Sequence, residues 1–293
     1  MNVDSRSTAF GEGNDPRRVI STDAAGREEL AALMVRSLEN ARADLSASFQ
    51  EARREGRVRC FILDDLLPEN IALAIHRSFP RTDAMLKRHT LRESKYYAAQ
   101  LDRYEPLIEE VVFAFQHPRV IELLGDICGI SNLLPDPNLY AGGVSAMIKE
   151  SFLNPHLDNS HDGAQKRYRV LNSLYYVTPG WREEYGGNLE VWDKGPRGKP
   201  RTIHTRFNRL VLMETNRTSW HSVSRVRVEG RRTCVSNYFF REQSLEGYDY
   251  FHATSFRGRP EQPGRDLLLR ADNALRTAIL SVVNVPTRHV YKR

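Results

Sequence analysis

Residues 168–177 read YRVLNSLYYV and residues 232–240 read RTCVSNYFF. Both are dense in β-branched and aromatic side chains, which fit the pleated, half-buried surface of a strand. Similar short runs lie between and before them: YAGGVSAMI at 140–148, GGNLEVWD at 186–193, RTIHTRF at 201–207, NRLVLME at 208–214 and HSVSRVRV at 221–228. Pro179-Gly180, Gly186-Gly187 and Gly195-Pro196 punctuate them as turns. Closely spaced strands without intervening helices predict a double-sheet jelly roll, a double-stranded β-helix, rather than alternating βαβ units.

The flanks read differently. Residues 1–20 have few large apolar side chains and predict a disordered lead-in. From 21 to 56, Leu30, Leu33, Met34, Leu38 and Leu45 recur at helical spacing, giving one amphipathic helix or two, with Ser21 or Thr22 as N-cap. RVRCFILDDLL at 57–67 reads as a strand, and Pro68 suits the first turn of a helix ending near Phe79. Residues 104–129 are helical, with Pro118 opening a second helix. After the strands, residues 265–283 return to helical spacing through Leu267, Leu268, Ala271, Leu275 and Ile279. The expected fold class is α+β. A lead-in (1–20) precedes a mainly helical part of the same domain (21–138), a jelly-roll core (139–241) and a C-terminal extension with a helix (242–293).

Of the 293 residues, 40% are hydrophobic, enough for a large core, yet no run approaches the ~18 apolar residues that cross a bilayer. No membrane-spanning role is expected. The polar, acid-bearing N-terminus has neither a signal-peptide core nor a transit-peptide pattern, which predicts a cytoplasmic protein. Cys60, Cys128 and Cys234 are odd in number and far apart, as buried apolar fillers are. The net charge of +6 is uneven: residues 199–232 carry +7, residues 257–293 carry +5, and the remainder −6.

The chemistry concentrates at His156-Leu157-Asp158. Residues i and i+2 of a strand share a face, so an imidazole and a carboxylate can converge on one ion. His221 supplies a second imidazole at the start of another predicted strand. Two His and one carboxylate form the facial triad of non-haem Fe(II) oxygenases, which leaves positions open for co-substrate and O2. Beyond His221, Arg232 opens a strand on which Cys234 and Ser236 share its face. A guanidinium aimed into a barrel is a costly buried charge unless it meets an anion, and a bidentate carboxylate satisfies it.

Over residues 142–241 the sequence resembles the 2-oxoglutarate-dependent Fe(II) dioxygenases, in their prolyl-hydroxylase-like branch. The elements come in order: AMI, HLD, LYYV, Gly186-Gly187 with NLEVW, FNRLVLME, WHSV and RRTCVSNYFF. The resemblance implies that His156, Asp158 and His221 bind iron. It also implies that Arg232 grips the far carboxylate of 2-oxoglutarate and that Tyr176 hydrogen-bonds the same carboxylate. The implied reaction hydroxylates an unactivated C–H of a small-molecule or amino-acid-type substrate. Fe(II), 2-oxoglutarate and O2 take part, and succinate and CO2 are released. A peptidyl, prolyl-type hydroxylase and a non-catalytic metal- or ligand-binding jelly roll are the alternatives. Retention of Asp158 argues against halogenation, since related halogenases lack that carboxylate.

Several readings stay open at this level. Arg231 faces opposite to Arg232, so a one-residue slip exchanges their roles. Apart from the resemblance, Tyr176 reads better as a core aromatic with a satisfied hydroxyl, and Asn159 is a turn residue or a substrate contact. Trp220 reads as packing, His161 as a surface or supporting residue, and His204, His252 and His289 as surface or structural residues. The C-terminal arginines read as a solvated helix face or as an attraction for an acidic partner. Nothing after His221 resembles a base-binding lid, so a nucleic-acid partner is not expected, whereas a homo-oligomer is left open.

Overall fold

The computed structural model describes residues 24–282 and Tyr291. The expected lead-in, the Ser21 or Thr22 cap and His289 lie outside the described residues. Helical spacing at the start resolves into two helices, α1 (Ala24–Asn40) and α2 (Arg42–Arg54). Strand β1 (Cys60–Leu63) and helix α3 (Glu69–Ser78) follow, with Pro68 at the N-cap of α3. Next come β2 (Leu86–His89) and β3 (Glu93–Ala98), a hairpin within the stretch that reads as mainly helical. Helices α4 (Pro106–Ala114) and α5 (Pro118–Cys128) each begin on a proline, whose fixed φ and missing N–H suit the first turn.

The remaining strands are β4 (Gly143–Ile148), β5 (Phe152–Leu157), β6 (Tyr168–Tyr176), β7 (Leu189–Val191), β8 (Arg201–Ile203), β9 (Arg209–Glu214), β10 (His221–Val223), β11 (Arg231–Arg241) and β12 (Ser255–Phe256). Helix α6 (Pro263–Val282) closes the described chain. The strands pair antiparallel in the order β1-β9-β6-β11-β4-β3-β5-β10-β7-β8, with β2 on β3 and β12 on β5. One curled sheet thus forms the two walls of the expected jelly roll. β3 joins the walls, since Tyr96 and Tyr97 pair with β4 while Glu93 and Ser94 pair with β5.

Strand alternation divides the core. Val235 and Phe239 of β11, with Leu171 and Tyr175 of β6, point outward and pack with apolar residues of α1, α2, α4 and α5. Arg232, Cys234, Ser236 and Tyr238 point inward. All three cysteines are buried and unpaired, as expected. Leu267, Leu268 and Leu275 of α6 are exposed whereas Leu269 is buried, so the apolar stripe of that helix is not the face that packs. Among the described residues no helix is long and apolar enough to cross a membrane.

One turn shows why Gly186-Gly187 punctuates the sequence. Gly186 has φ +74°, and a Cβ there would sit 1.9 Å from the carbonyl oxygen of Arg225. Gly187 has φ +70°, and a Cβ there would lie 3.4 Å from Nε of Arg232, filling space beside that guanidinium.

Candidate active site

The candidate metal-ligand residues meet because β5 and β10 are neighbours with His156 and His221 directly paired. Asp158 follows two residues after His156, just past the end of β5, where it returns to the same side. The three side chains are buried, and their candidate ligand atoms all lie within 4.8 Å of one another. Nε2 of His156 is 3.7 Å from Oδ1 of Asp158, and Nε2 of His221 is 3.7 Å from Oδ2. That spacing is slightly wider than the ~3 Å edge subtended by metal–ligand bonds of ~2.1 Å. A small inward movement would close the three donors on one ion.

The histidines are oriented for this task. Nδ1 of His156 lies 3.0 Å from the carbonyl oxygen of Asn154, and Nδ1 of His221 lies 3.0 Å from that of Ser219. Each backbone acceptor calls for a proton on Nδ1, which leaves the Nε2 lone pair facing Asp158. Burial, and after it the neighbouring His221, push the His156 pKa down to about 3, so this ring is neutral and able to ligate. Phe256 of β12 stacks on His156 with centroids 5.2 Å apart.

Burial alone would raise the Asp158 pKa, but His221, Arg169 and His156 together hold it below the usual carboxylate range. Arg169 Nη1 is 3.5 Å from Oδ1 and Asn172 Nδ2 is 3.4 Å from Oδ2. Arg169 is 3% exposed and lies over the Tyr238 ring, 4.2 Å from its centroid. Sequence reading missed this arginine for a geometric reason. On a regular strand it would face away from Asn172, yet the pairing of β6 with β11 slips between Leu171–Phe239 and Arg169–Phe240. The extra residue, Val170, forms a bulge that returns Arg169 to the inner face. Asn172 was legible as an inward neighbour of Tyr176 but carried no motif. Replacing Asn172 with Leu should lower Fe(II) affinity by about 10- to 100-fold, as losses of groups that orient metal ligands do. Equilibrium dialysis against buffered Fe(II) measures it, and an unchanged affinity would show that Asn172 does not orient Asp158.

Arg232, Tyr176 and the triad line one cavity of about 420 Å³. Arg232 is 3% exposed, and among the described residues it has no carboxylate within ion-pair distance. Nη2 contacts Sδ of Met147 at 2.7 Å, Nε has no partner, and the guanidinium lies 5.3 Å from the Tyr176 ring centre. A cation this deep, with an unmet N–H beside the space left by Gly187, fits a carboxylate. Tyr176 is 2% exposed, and its hydroxyl is kept protonated by burial. Arg231 points the other way, its Nη1 donating to the carbonyl of Pro80 at 2.5 Å.

Of the remaining residues singled out in the sequence, His161, His204 and His252 do not line the cavity. His161 is buried rather than superficial, its Nδ1 2.7 Å from the Ser160 hydroxyl and its ring against Tyr168. His204 bonds the Trp181 carbonyl at 2.9 Å, a structural use. His252 is partly buried and stacks on Tyr250. Asn159 lines the cavity and also donates to the His161 carbonyl at 2.6 Å, as a turn residue does.

Comparison with known proteins gives concordant results. The family model described as the 2OG-Fe(II) oxygenase superfamily matches residues 142–240. A prolyl 3-hydroxylase of Xenopus laevis is 33% identical over 84 residues, which are 27% of this chain and 16% of that protein. The match therefore spans about one-sixth of that relative's length. The crystal structure of a Pseudomonas putida prolyl-4-hydroxylase superposes with a TM-score of 0.50 at 15% identity, covering 68% of this chain and all of the other. HygX of Streptomyces hygroscopicus, solved with nickel, 2-oxoglutarate and hygromycin B, gives 0.46 at 12% identity over 66% and 86% of the two chains. The matched residues 142–240 are the ones that build most of the barrel and carry its clustered imidazoles and carboxylate, so over this stretch the chain is similar to the 2OG-Fe(II) oxygenase superfamily.

Proposed function

We propose that the chain is an Fe(II)/2-oxoglutarate-dependent dioxygenase that hydroxylates an unactivated C–H of a small-molecule or amino-acid-type substrate. The observation that carries this reading is the coexistence, in one cavity, of the His156/Asp158/His221 cluster and a buried Arg232 that has no carboxylate partner among the described residues. A simple ligand-binding barrel has use for one or the other, not both. His156, Asp158 and His221 would hold the iron. When bound, the iron with 2-oxoglutarate and O2 supplies the oxidising chemistry that converts C–H to C–OH, with succinate and CO2 as co-products.

The chain's own residues have separable tasks in this reading. Arg232 takes the far carboxylate of 2-oxoglutarate as a paired cation, and the protonated Tyr176 hydroxyl donates to the same carboxylate. Arg169 and Asn172 hold the Asp158 carboxylate toward the two Nε2 atoms. Leu153, Leu189 and Val223 supply apolar lining that limits water in the cavity. A cavity of about 420 Å³ suits a small substrate beside 2-oxoglutarate. A peptidyl prolyl-type substrate is the second reading, favoured by the prolyl hydroxylases among the similar proteins.

Anaerobic addition of Fe(II) and 2-oxoglutarate should produce a visible metal-to-ligand charge-transfer band that is absent from His156→Ala. Admission of O2 should then release succinate. No band in the wild type, or a band that persists in His156→Ala, would overturn the oxygenase reading in favour of a non-catalytic jelly roll. A succinate-release screen over amino acids, other small metabolites and proline-containing peptides separates the two substrate classes.

A further inference from the structure

The cavity carries more positive charge than the triad and Arg232 explain. Six basic residues line it against two acidic ones. Arg169 and Arg232 are deep, at 3% exposure each, and Asp158 belongs to the metal cluster. The remaining charges are supplied by two elements, and of them only Glu93 is buried. Arg88, Arg92, Glu93 and Lys95 come from the β2–β3 hairpin, and Arg276 comes from α6. The side chain of Arg88 is 46% exposed and those of Arg92 and Lys95 are each 27% exposed, so this rim meets solvent.

Two carboxylates serve these four cations. Glu93 is shared, with Lys95 Nζ at 3.0 Å and Arg88 Nη1 at 3.2 Å. Arg92 is spent on Asp272 of α6 through a two-pronged ion pair, one arm of it Nε to Oδ2 at 2.9 Å. Arg276 stands one helical turn beyond Asp272. Among the described residues it has no carboxylate within ion-pair distance, and its recorded hydrogen bond runs from Nη1 to the Thr254 carbonyl at 3.2 Å. Burial, and after it the charge of Arg92, depress its pKa; Asp272 opposes this, Arg88 adds to it and Glu93 opposes it again, so the guanidinium is desolvated and carries like-charge repulsion that the nearby carboxylates do not cancel.

The placement of Arg276 is fixed relative to the candidate metal centre. The Asn273 side chain pairs with the Phe256 backbone in both directions, accepting from N–H at 3.0 Å and donating to the carbonyl at 2.5 Å. Phe256 in turn stacks on His156. Other arginines of the basic C-terminal stretch are engaged elsewhere: Arg257 is held by Asp266 and Arg259 by Glu190, whereas Arg276 lines the cavity.

We infer that the rim formed by Arg88, Arg92 and Arg276 receives an anionic group of the substrate, a carboxylate or phosphate, with Arg276 of the C-terminal helix as its principal contact. The inference rests on reading the cavity as an oxygenase site, and it names the substrate class. Crowded, partly desolvated cations are stabilised when an anion completes them, and a rim whose four cations outnumber its two carboxylates concentrates such ligands. A guanidinium held at a set position would also fix which C–H faces the triad.

The test uses the full chain loaded with Mn(II) and saturating 2-oxoglutarate under nitrogen. Inorganic phosphate is followed by its phosphorus relaxation and acetate by its methyl proton relaxation, with acetamide as the neutral control. Protein-bound Mn(II) should relax phosphate or acetate well beyond acetamide. Arg276→Gln should cut that enhancement by about fivefold or more, while Arg276→Lys, which keeps the charge, retains most of it. Arg182→Gln, at an exposed site outside the cavity, should leave it unchanged. The anion with the larger loss in Arg276→Gln distinguishes phosphate from carboxylate. No specific enhancement of either phosphate or acetate over the acetamide control, or enhancement that survives Arg276→Gln, overturns the inference even though Mn(II) and 2-oxoglutarate still bind. If the wild type binds neither Mn(II) nor 2-oxoglutarate, the oxygenase reading itself has failed.

Discussion

His221→Ala is expected to leave the protein folded but unable to retain Fe(II), and to lower 2-oxoglutarate-dependent succinate release by about a thousandfold, roughly 4 kcal/mol of barrier. The other two ligand candidates, His156 and Asp158, come from one strand end and can hold an ion from one side only. His221 arrives from the neighbouring strand and closes the face. Its Nδ1 partner, the Ser219 carbonyl, would be left facing a methyl group that neither donates nor ligates. Fold is not the casualty, because β10 keeps its pairing to β5 and β7 through backbone groups. Metal analysis after dialysis, with thermal melting as the control, checks the prediction. A variant that retains one Fe(II) per chain would show that the ion sits elsewhere. A variant that loses metal only because it has lost its melting transition would leave His221 with a structural role instead.

The parts of the site that were legible in the sequence obey the two-residue period of a regular strand. His156 and Asp158 share a side because they are two apart, and Arg232, Cys234 and Ser236 do so for the same reason. The core strands were legible because their β-branched and aromatic residues lie between strong turn signals. What escaped breaks one of those regularities. Arg169 is turned inward by the bulge at Val170, and alternation assigns it to the wrong face. The β2–β3 hairpin was missed because its first strand, LKRH, is exposed at all four positions and has no apolar side to betray it. In α6 the leucines at helical spacing are exposed while Leu269 packs, so the apolar period points to a face that the described residues leave uncovered. The basic C-terminal stretch could not be interpreted from composition. Among its described arginines, Arg257 and Arg259 are held in ion pairs while Arg276 lines the cavity, and only tertiary contacts reveal which does which.

The adjacent arginines of β11 give the second large expected effect, a contrast between neighbours of identical chemistry. Arg232→Leu should raise the 2-oxoglutarate concentration needed for half-maximal turnover by about 100-fold, roughly 2.7 kcal/mol, which is within reach of a buried, charge-assisted pair. Arg231→Leu should change it by less than about threefold, because this side chain projects to the opposite face and spends an N–H on the Pro80 carbonyl. Arg232→Lys should fall between the two, since an ammonium restores the charge but not the planar fork. Stability should move differently from binding. With no carboxylate within ion-pair distance among the described residues, Arg232 is a buried cation whose desolvation is repaid only in part by Met147 and the Tyr176 ring, so Arg232→Leu should melt no lower than the wild type. Loss of 2-oxoglutarate binding without loss of melting temperature is therefore the expected signature of a residue kept for its ligand. Equal effects of Arg231→Leu and Arg232→Leu on 2-oxoglutarate would mean that the inward face of β11 is not where the co-substrate's far carboxylate is held.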